Sequence, residues 1–190
     1  MKSIDRIPPF FSVLLFTCLL SGCAGAMSDV TIPISMANLA DLDQTREPSA
    51  RIEVVDLRRD STMRRTAFNV SLGEITLSPP ENELVKQMVA DALQRVVSDG
   101  GRREELPTVY CGIKTFDIVT PATPLYWDVT TRIELILRIR GNERTVSTEA
   151  VERTWLYPSE EIIQRVTTRA LDDVGVVLEK ELRTILATAP

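Results

Sequence analysis

Few side chains in this sequence could do chemistry. There are three thiols, Cys18, Cys23 and Cys111, two adjacent carboxylate pairs, Glu160-Glu161 and Asp172-Asp173, and no histidine in 190 residues. Without imidazole, nucleophile–histidine pairs and histidine-containing metal sites are excluded, and the commonest general base is missing. Neighbouring residues on a helix point about 100° apart, so neither carboxylate pair converges on one substrate. Both pairs read as solvated faces, and Glu160-Glu161 as a complement to a helix dipole. No G-x-S-x-G, P-loop, G-x-G-x-x-G, C-x-x-C or calcium-loop pattern occurs. Neither catalysis nor a metal or cofactor is expected.

Cys23 stands apart because of what precedes it. Lys2 and Arg6 make a basic start, and Phe10 to Leu20 is an apolar run of 11 residues. That is too short for a bilayer-spanning helix, which needs about 20, and suits a signal-peptide core. Leu20-Ser21-Gly22-Cys23 follows, small residues just ahead of a cysteine with leucine three positions before it. The pattern is similar to the lipobox of bacterial lipoproteins. It implies a signal peptide over 1–22 and acylation of Cys23, palmitate included. The chain would then hold its membrane through an N-terminal lipid, with Ala24 rather than aspartate next to it favouring the outer membrane and a periplasm-facing body. Cys111 would be the one unmodified thiol, leaving no intramolecular disulfide. It sits mid-strand among apolar residues with no basic neighbour at i±2, a buried structural thiol.

Two further groupings could make contacts. "PLYW" at 124–127 and "WLYP" at 155–158 are near mirror images that a hairpin brings together. Tyr126, Trp127, Trp155 and Tyr157 would then gather at one edge of a sheet, either sealing the end of the core or forming an aromatic binding patch. The segment "RRDSTMRR" places Arg58, Arg59, Arg64 and Arg65 in a chain of net charge −5. It reads as a loop that is either solvated or able to meet anionic head groups or an acidic partner. The acidic balance, without any Lys/Arg block, argues against nucleic acid.

These residues need elements to position them. A lead-in over 23–50 reads as a tether with a root-mean-square span on the order of 30 Å. "VTIPIS" within it could add an edge strand, where Pro33 is tolerated. Glu47-Pro48-Ser49 marks the boundary of one domain over 51–190. "RIEVVDL" (51–57) is a strand, and "AFNVSLGEITL" another whose apolar phase slips at Gly73, the mark of a bulge. A helix opens at Ser78-Pro79-Pro80-Glu81, carries an apolar face from Leu84 to Val97 with an Asp91–Arg95 pair opposite, and ends at Gly100-Gly101. After a strand at 108–119, "WDVTTRIELILRIR" alternates apolar odd positions with polar even ones. Gly141-Asn142 is read as the hairpin turn, setting Leu137 opposite Val146 and Trp127 opposite Leu156. A last helix starts at Ser159, its apolar stripe running from Ile162 to Ile185, with Gly175 marking a close contact or a kink. The predicted architecture is α+β, β-β-α-β-β-β-α, with both helices on one face of an antiparallel sheet.

Taken together these features resemble the YajG-like lipoproteins of Gram-negative bacteria. The likeness lies in Cys23 with its lipobox, "VVDLRRD" with Asp56 and Arg58, and "ITLSPPENELVKQMVADALQRVVSDGG". The long hairpin beginning near Tyr126 and the closing "YPSEEIIQRVTTRALDDVGVVLEKEL" complete it. The resemblance implies an outer-membrane-anchored, non-catalytic periplasmic domain and transfers no catalytic residue. The expected role is a binding or accessory module of the cell envelope with a protein partner. The alternative is a lipid-handling auxiliary of an envelope ABC-type transport system, enclosing an apolar groove between sheet and helices.

Overall fold

Strict alternation makes residues 127–139 a strand with one buried and one solvated face, and the chain folds it back as a long antiparallel hairpin. β6 (Trp127–Ile139) pairs with β7 (Asn142–Thr154), Ile139 opposite Asn142 and Leu135 opposite Val146. The turn is Arg140-Gly141, with φ of 50° and 82°, the paired positive values of a primed two-residue turn. The register therefore differs by two residues from the expected Gly141-Asn142 fold-back. A shift of two leaves every side chain on its own face, so burial does not choose between the two registers. Charge does: the observed register sets Arg138 against Glu143, Arg132 against Glu149 and Asp128 against Arg153, at 2.5, 2.7 and 2.8 Å. The alternative would oppose Arg138 to Thr145 and Arg132 to Val151.

The computed structural model describes residues 28–35, 51–67, 70–98, 108–155 and 157–187. β5 (Val109–Val119) lies antiparallel to β6, and β2 (Ile52–Asp56) lies parallel to β5, giving a four-stranded sheet in the order β2-β5-β6-β7. A bulge at Lys114 inserts one residue between Ile113 and Thr115. It lets Val109, Cys111 and Ile113 and then Phe116 and Ile118 all face inward, although the two sets differ in parity. The inner face is covered by α1 (Glu81–Ser98) and α2 (Glu160–Ala187). Phe116, Ile133, Leu137, Val166, Val174, Leu178 and Leu182 are each 1% exposed or less between the layers. The α+β class, the element order and the placing of both helices on one face follow the sequence reading. The pairing is richer than a single antiparallel sheet.

The additional strands come from segments read as lead-in and loop. β3 (Met63–Ala67) and β4 (Val70–Ser78) are antiparallel, and β1 (Val30–Pro33) runs parallel to β4, making a second sheet β1-β4-β3. β1 is the expected edge strand, and Val30, Ile32 and Ile34 are buried in the common core. The bulge expected at Gly73 is present: Arg65 pairs with Gly73 and Thr66 with Ser71, leaving Leu72 over. Gly73 has φ 140°, and a β-carbon there would sit 2.3 Å from the Ser28 carbonyl oxygen, so only glycine admits the chain entering β1.

Helix starts follow their sequence signals with one correction, and the expected stop at Gly100-Gly101 lies outside the described residues. Ser78 completes β4 instead of capping a helix, and α1 starts three residues later. The Pro80 carbonyl there accepts from the amides of Glu83 and Leu84 at 3.0 Å. Asp91 and Arg95 pair at 2.6 Å, and Arg95 also reaches Glu179 of α2 at 3.8 Å. Partial burial pushes the Asp91 carboxyl up, against the pull of Arg95. α2 begins as expected, with the Ser159 carbonyl accepting from Ile163 at 3.1 Å.

Gly175 shows no tight contact of the kind its position suggested. α2 runs unbroken through it, and a β-carbon there would meet only Met88 Cγ, at an ordinary 3.9 Å. The glycine thus carries its helical cost with no packing return. Gly175→Ala is expected to stabilise the fold by about 1 kcal/mol, read as a higher urea midpoint at unchanged m-value.

Candidate functional site

The four aromatics meet at the end of the hairpin opposite its turn, but parity divides them between two faces. Tyr126 and Trp155 form one edge-to-face pair with ring centres 5.9 Å apart, on the face away from the helices. Arg153 stacks 3.9 Å over the Tyr126 ring while binding both Asp128 oxygens, at 2.8 and 3.2 Å. Trp127 and Tyr157 form the second pair at 5.4 Å, on the helix side. Trp127 stands opposite Thr154, not Leu156, which lies outside the described residues. Trp155 is 71% exposed, and Leu125 beside Tyr126 is 73% exposed. Leu125 is held out by a turn in which Thr123 Oγ1 accepts from the amides of Leu125 and Tyr126 at 3.3 and 3.0 Å. One pair therefore closes the core, as the sealing alternative had it, and the other stays on the surface.

The four arginines do not form a basic surface. Arg58 is buried, its side chain 5% exposed. It grips Asp56 through Nε and Nη2 at 2.9 and 2.8 Å and gives Nη1 to the Phe116 carbonyl at 3.0 Å and to Glu81 at 3.4 Å. The Arg58 guanidinium holds the Asp56 carboxyl below its usual range. Arg65 is 2% exposed. Its guanidinium donates to the Tyr157 hydroxyl and the Ser28 carbonyl and lies 5.5 Å over the Tyr157 ring, while its Nε has no partner among the described residues. Arg59 and Arg64 are the two that face solvent. The segment expected as one loop is a turn followed by β3, because alternation within "MRRTA" buries Met63 and Arg65 and exposes Arg64.

The apolar concavity is on the face opposite the one expected. Among the described residues the space between sheet and helices is filled by side chains from both layers. A depression of about 500 Å3 opens instead on the outer face, lined by Val55, Leu57, Tyr110, Gly112, Ile136 and Arg138. Val55, Leu57 and Tyr110 are about half exposed. Gly112 makes room for the Leu57 side chain in the lining, since a β-carbon there would come within 2.5 Å of Leu57 Cδ1. Two sequence signals marked it, a glycine in a strand of bulky residues and apolar side chains at the outward positions 55 and 57.

Cys111 is buried among the core side chains, and burial pushes its thiol up to about 12. Cys23 lies outside the described residues. Among those described, no helix is long and apolar enough to cross a membrane and no acid or thiol cluster could hold a metal ion.

No family model and no curated protein matches the chain. Solved structures with a similar chain path include an uncharacterised protein with TM-score 0.48 and 9% identity, covering 83% of this chain and 99% of its own. A Xanthomonas campestris protein of the family DUF330 gives 0.41 at 9% identity, with 84% and 95% covered. A suspected lipoprotein of Caulobacter crescentus gives 0.35 at 14% identity, with 57% and 84% covered. Similarity at this level identifies no family, and function has to be argued from this chain's own residues.

Proposed function

We propose that the chain is a lipid-anchored envelope lipoprotein of the YajG-like kind, facing the periplasm from the outer membrane and acting by contact as a non-catalytic accessory module. The observation that carries this reading is the sequence Leu20-Ser21-Gly22-Cys23 behind an 11-residue apolar run. The fold supports it by supplying an exposed apolar hollow on the free face of the sheet, around Gly112, suited to a partner's side chains. Cys23→Ser is expected to block both acylation and cleavage, read by intact mass as a lipid-free chain that keeps residues 1–22. A photoreactive residue in place of Tyr110 should capture an envelope protein in cells. Normal processing and unchanged membrane association of Cys23→Ser sink the anchor, and an empty crosslinking lane sinks the contact surface.

A second reading is favoured by the same hollow. About 500 Å3 with a mainly apolar lining also suits one acyl chain. This is the lipid-handling auxiliary moved to the outer face. Native mass spectrometry separates the two: a co-purifying lipid lost in Ile136→Glu selects the second.

A further inference from the structure

We infer that the aromatic end of the hairpin rests on the lipid bilayer, with Trp155 and Leu125 set into its interface, so that the domain stands on the membrane in one orientation. The inference rests on the acylation of Cys23 proposed above. Four residues lie between Cys23 and Ser28, so five Cα–Cα steps span at most about 17 Å when fully extended. The Ser28 carbonyl is bonded to the Arg65 guanidinium, which also binds the Tyr157 hydroxyl. An anchor at Cys23 is thus tied, through a short tether, to the end of the fold where Tyr157, Trp155 and Leu125 lie. The expected tether over 23–50 is interrupted at Ser28, where the chain enters β1.

That end has the composition an interface selects. Residues 118–127 and 154–159 contain no charged side chain, in a chain that is 26% charged, and the charges that border them include the Asp128–Arg153 pair beside Tyr126. Leu125 and Trp155, at 73% and 71% exposure, project from them. Tryptophan and tyrosine favour the head-group level, where the ring is half in hydrocarbon and its polar edge meets water. The opposite end, around Arg138, Arg140, Glu143 and Arg144, is densely charged and lies about 40 Å away along β6. Standing on its aromatic end, the domain presents the hollow around Gly112 and Ile136 away from the membrane.

The test uses the full acylated chain carrying Trp127→Phe, so that Trp155 is the only fluorophore of its kind. It is reconstituted in vesicles of phosphatidylethanolamine and phosphatidylglycerol containing lipids brominated near the glycerol. Trp155 emission is expected to move to shorter wavelength and to be quenched. A control tryptophan from Val176→Trp, in a Trp127→Phe, Trp155→Phe background, should be neither shifted nor quenched. Val176 is 68% exposed but lies about 25 Å along α2 from its start. Intact mass shows whether Cys23 is acylated. Unquenched Trp155 in acylated protein, or equal quenching at both positions, overturns the docking and leaves the anchor standing. Unmodified Cys23 overturns the anchor and the docking with it.

Discussion

Arg58→Ala is expected to cost about 2 kcal/mol, within the range for hydrogen bonds to charged groups, because Asp56 is 40% exposed and keeps much of its hydration. The side chain joins three elements at once: Asp56 at the end of β2, Glu81 at the first turn of α1 and the Phe116 carbonyl beside the bulge of β5. Truncation leaves all three acceptors without this donor and opens a hole where a 5%-exposed side chain was. Arg58→Lys keeps the charge but not the two-pronged grip on Asp56, and should cost roughly half as much.

The pH dependence gives a second check on the same pair. Asp56 has its carboxyl lowered in the folded state, first by the hydrogen bond from Arg58. The folded state then binds fewer protons than the unfolded one, so this contribution is complete above the unfolded pKa, about 4, and disappears as pH falls through the lowered folded value. The Glu152 carboxyl, lowered chiefly by Arg165, behaves alike but is common to both proteins. The gap in urea stability between wild type and Arg58→Ala should therefore narrow from pH 7 to pH 3. A gap that stays constant would remove Asp56 from the account.

Thr131→Val alone is expected to cost about 2 kcal/mol, and the double change Thr131→Val, Thr167→Val much less than the sum of the singles. Thr131 of β6 and Thr167 of α2 are both fully buried, with hydroxyl oxygens 3.1 Å apart between sheet and helix. Either valine fills the same volume but strands the other hydroxyl in an apolar layer, which costs about 1–3 kcal/mol. With both removed nothing is stranded. A double-mutant cycle by urea denaturation reads the coupling directly, and additive losses would show that the two hydroxyls do not depend on each other.

Periodicity made some of this fold legible and left other parts hidden, each for a physical reason. The β6–β7 alternation and the stripes of both helices were plain because one face of each element is buried. The slip at Gly73 was also readable. The slip in β5 was equally present, odd apolar positions to Ile113 and even ones from Phe116, and went unread without a glycine to flag it. β3 was missed because a buried arginine breaks the apolar pattern: Arg65 occupies an inward position, and its charge mimics a loop. The parallel pairing of β2 with β5 leaves no trace in either strand, since inward and outward positions alternate alike in both orientations. Of the candidate contacts, the aromatic gathering was visible and its split into two pairs could have been, as Tyr126 and Trp127 are neighbours on a strand and must face opposite ways. Arg58 and Arg65 were visible as charges, and nothing local told that they were interior ones.

The parallel pairing of β1 with β4 also bears on how the protein is made. β1 is the first of the described strands to be synthesised, yet Val30 pairs with Ile75, which the ribosome adds about 45 residues later. Until β4 exists, Val30, Ile32 and Ile34 have no sheet to join, although all three end up buried. The nascent chain thus carries an unpaired apolar strand through an early stage of its biogenesis. Pro33, which cannot donate a ladder hydrogen bond, makes that strand a poor template for the wrong neighbour while it waits.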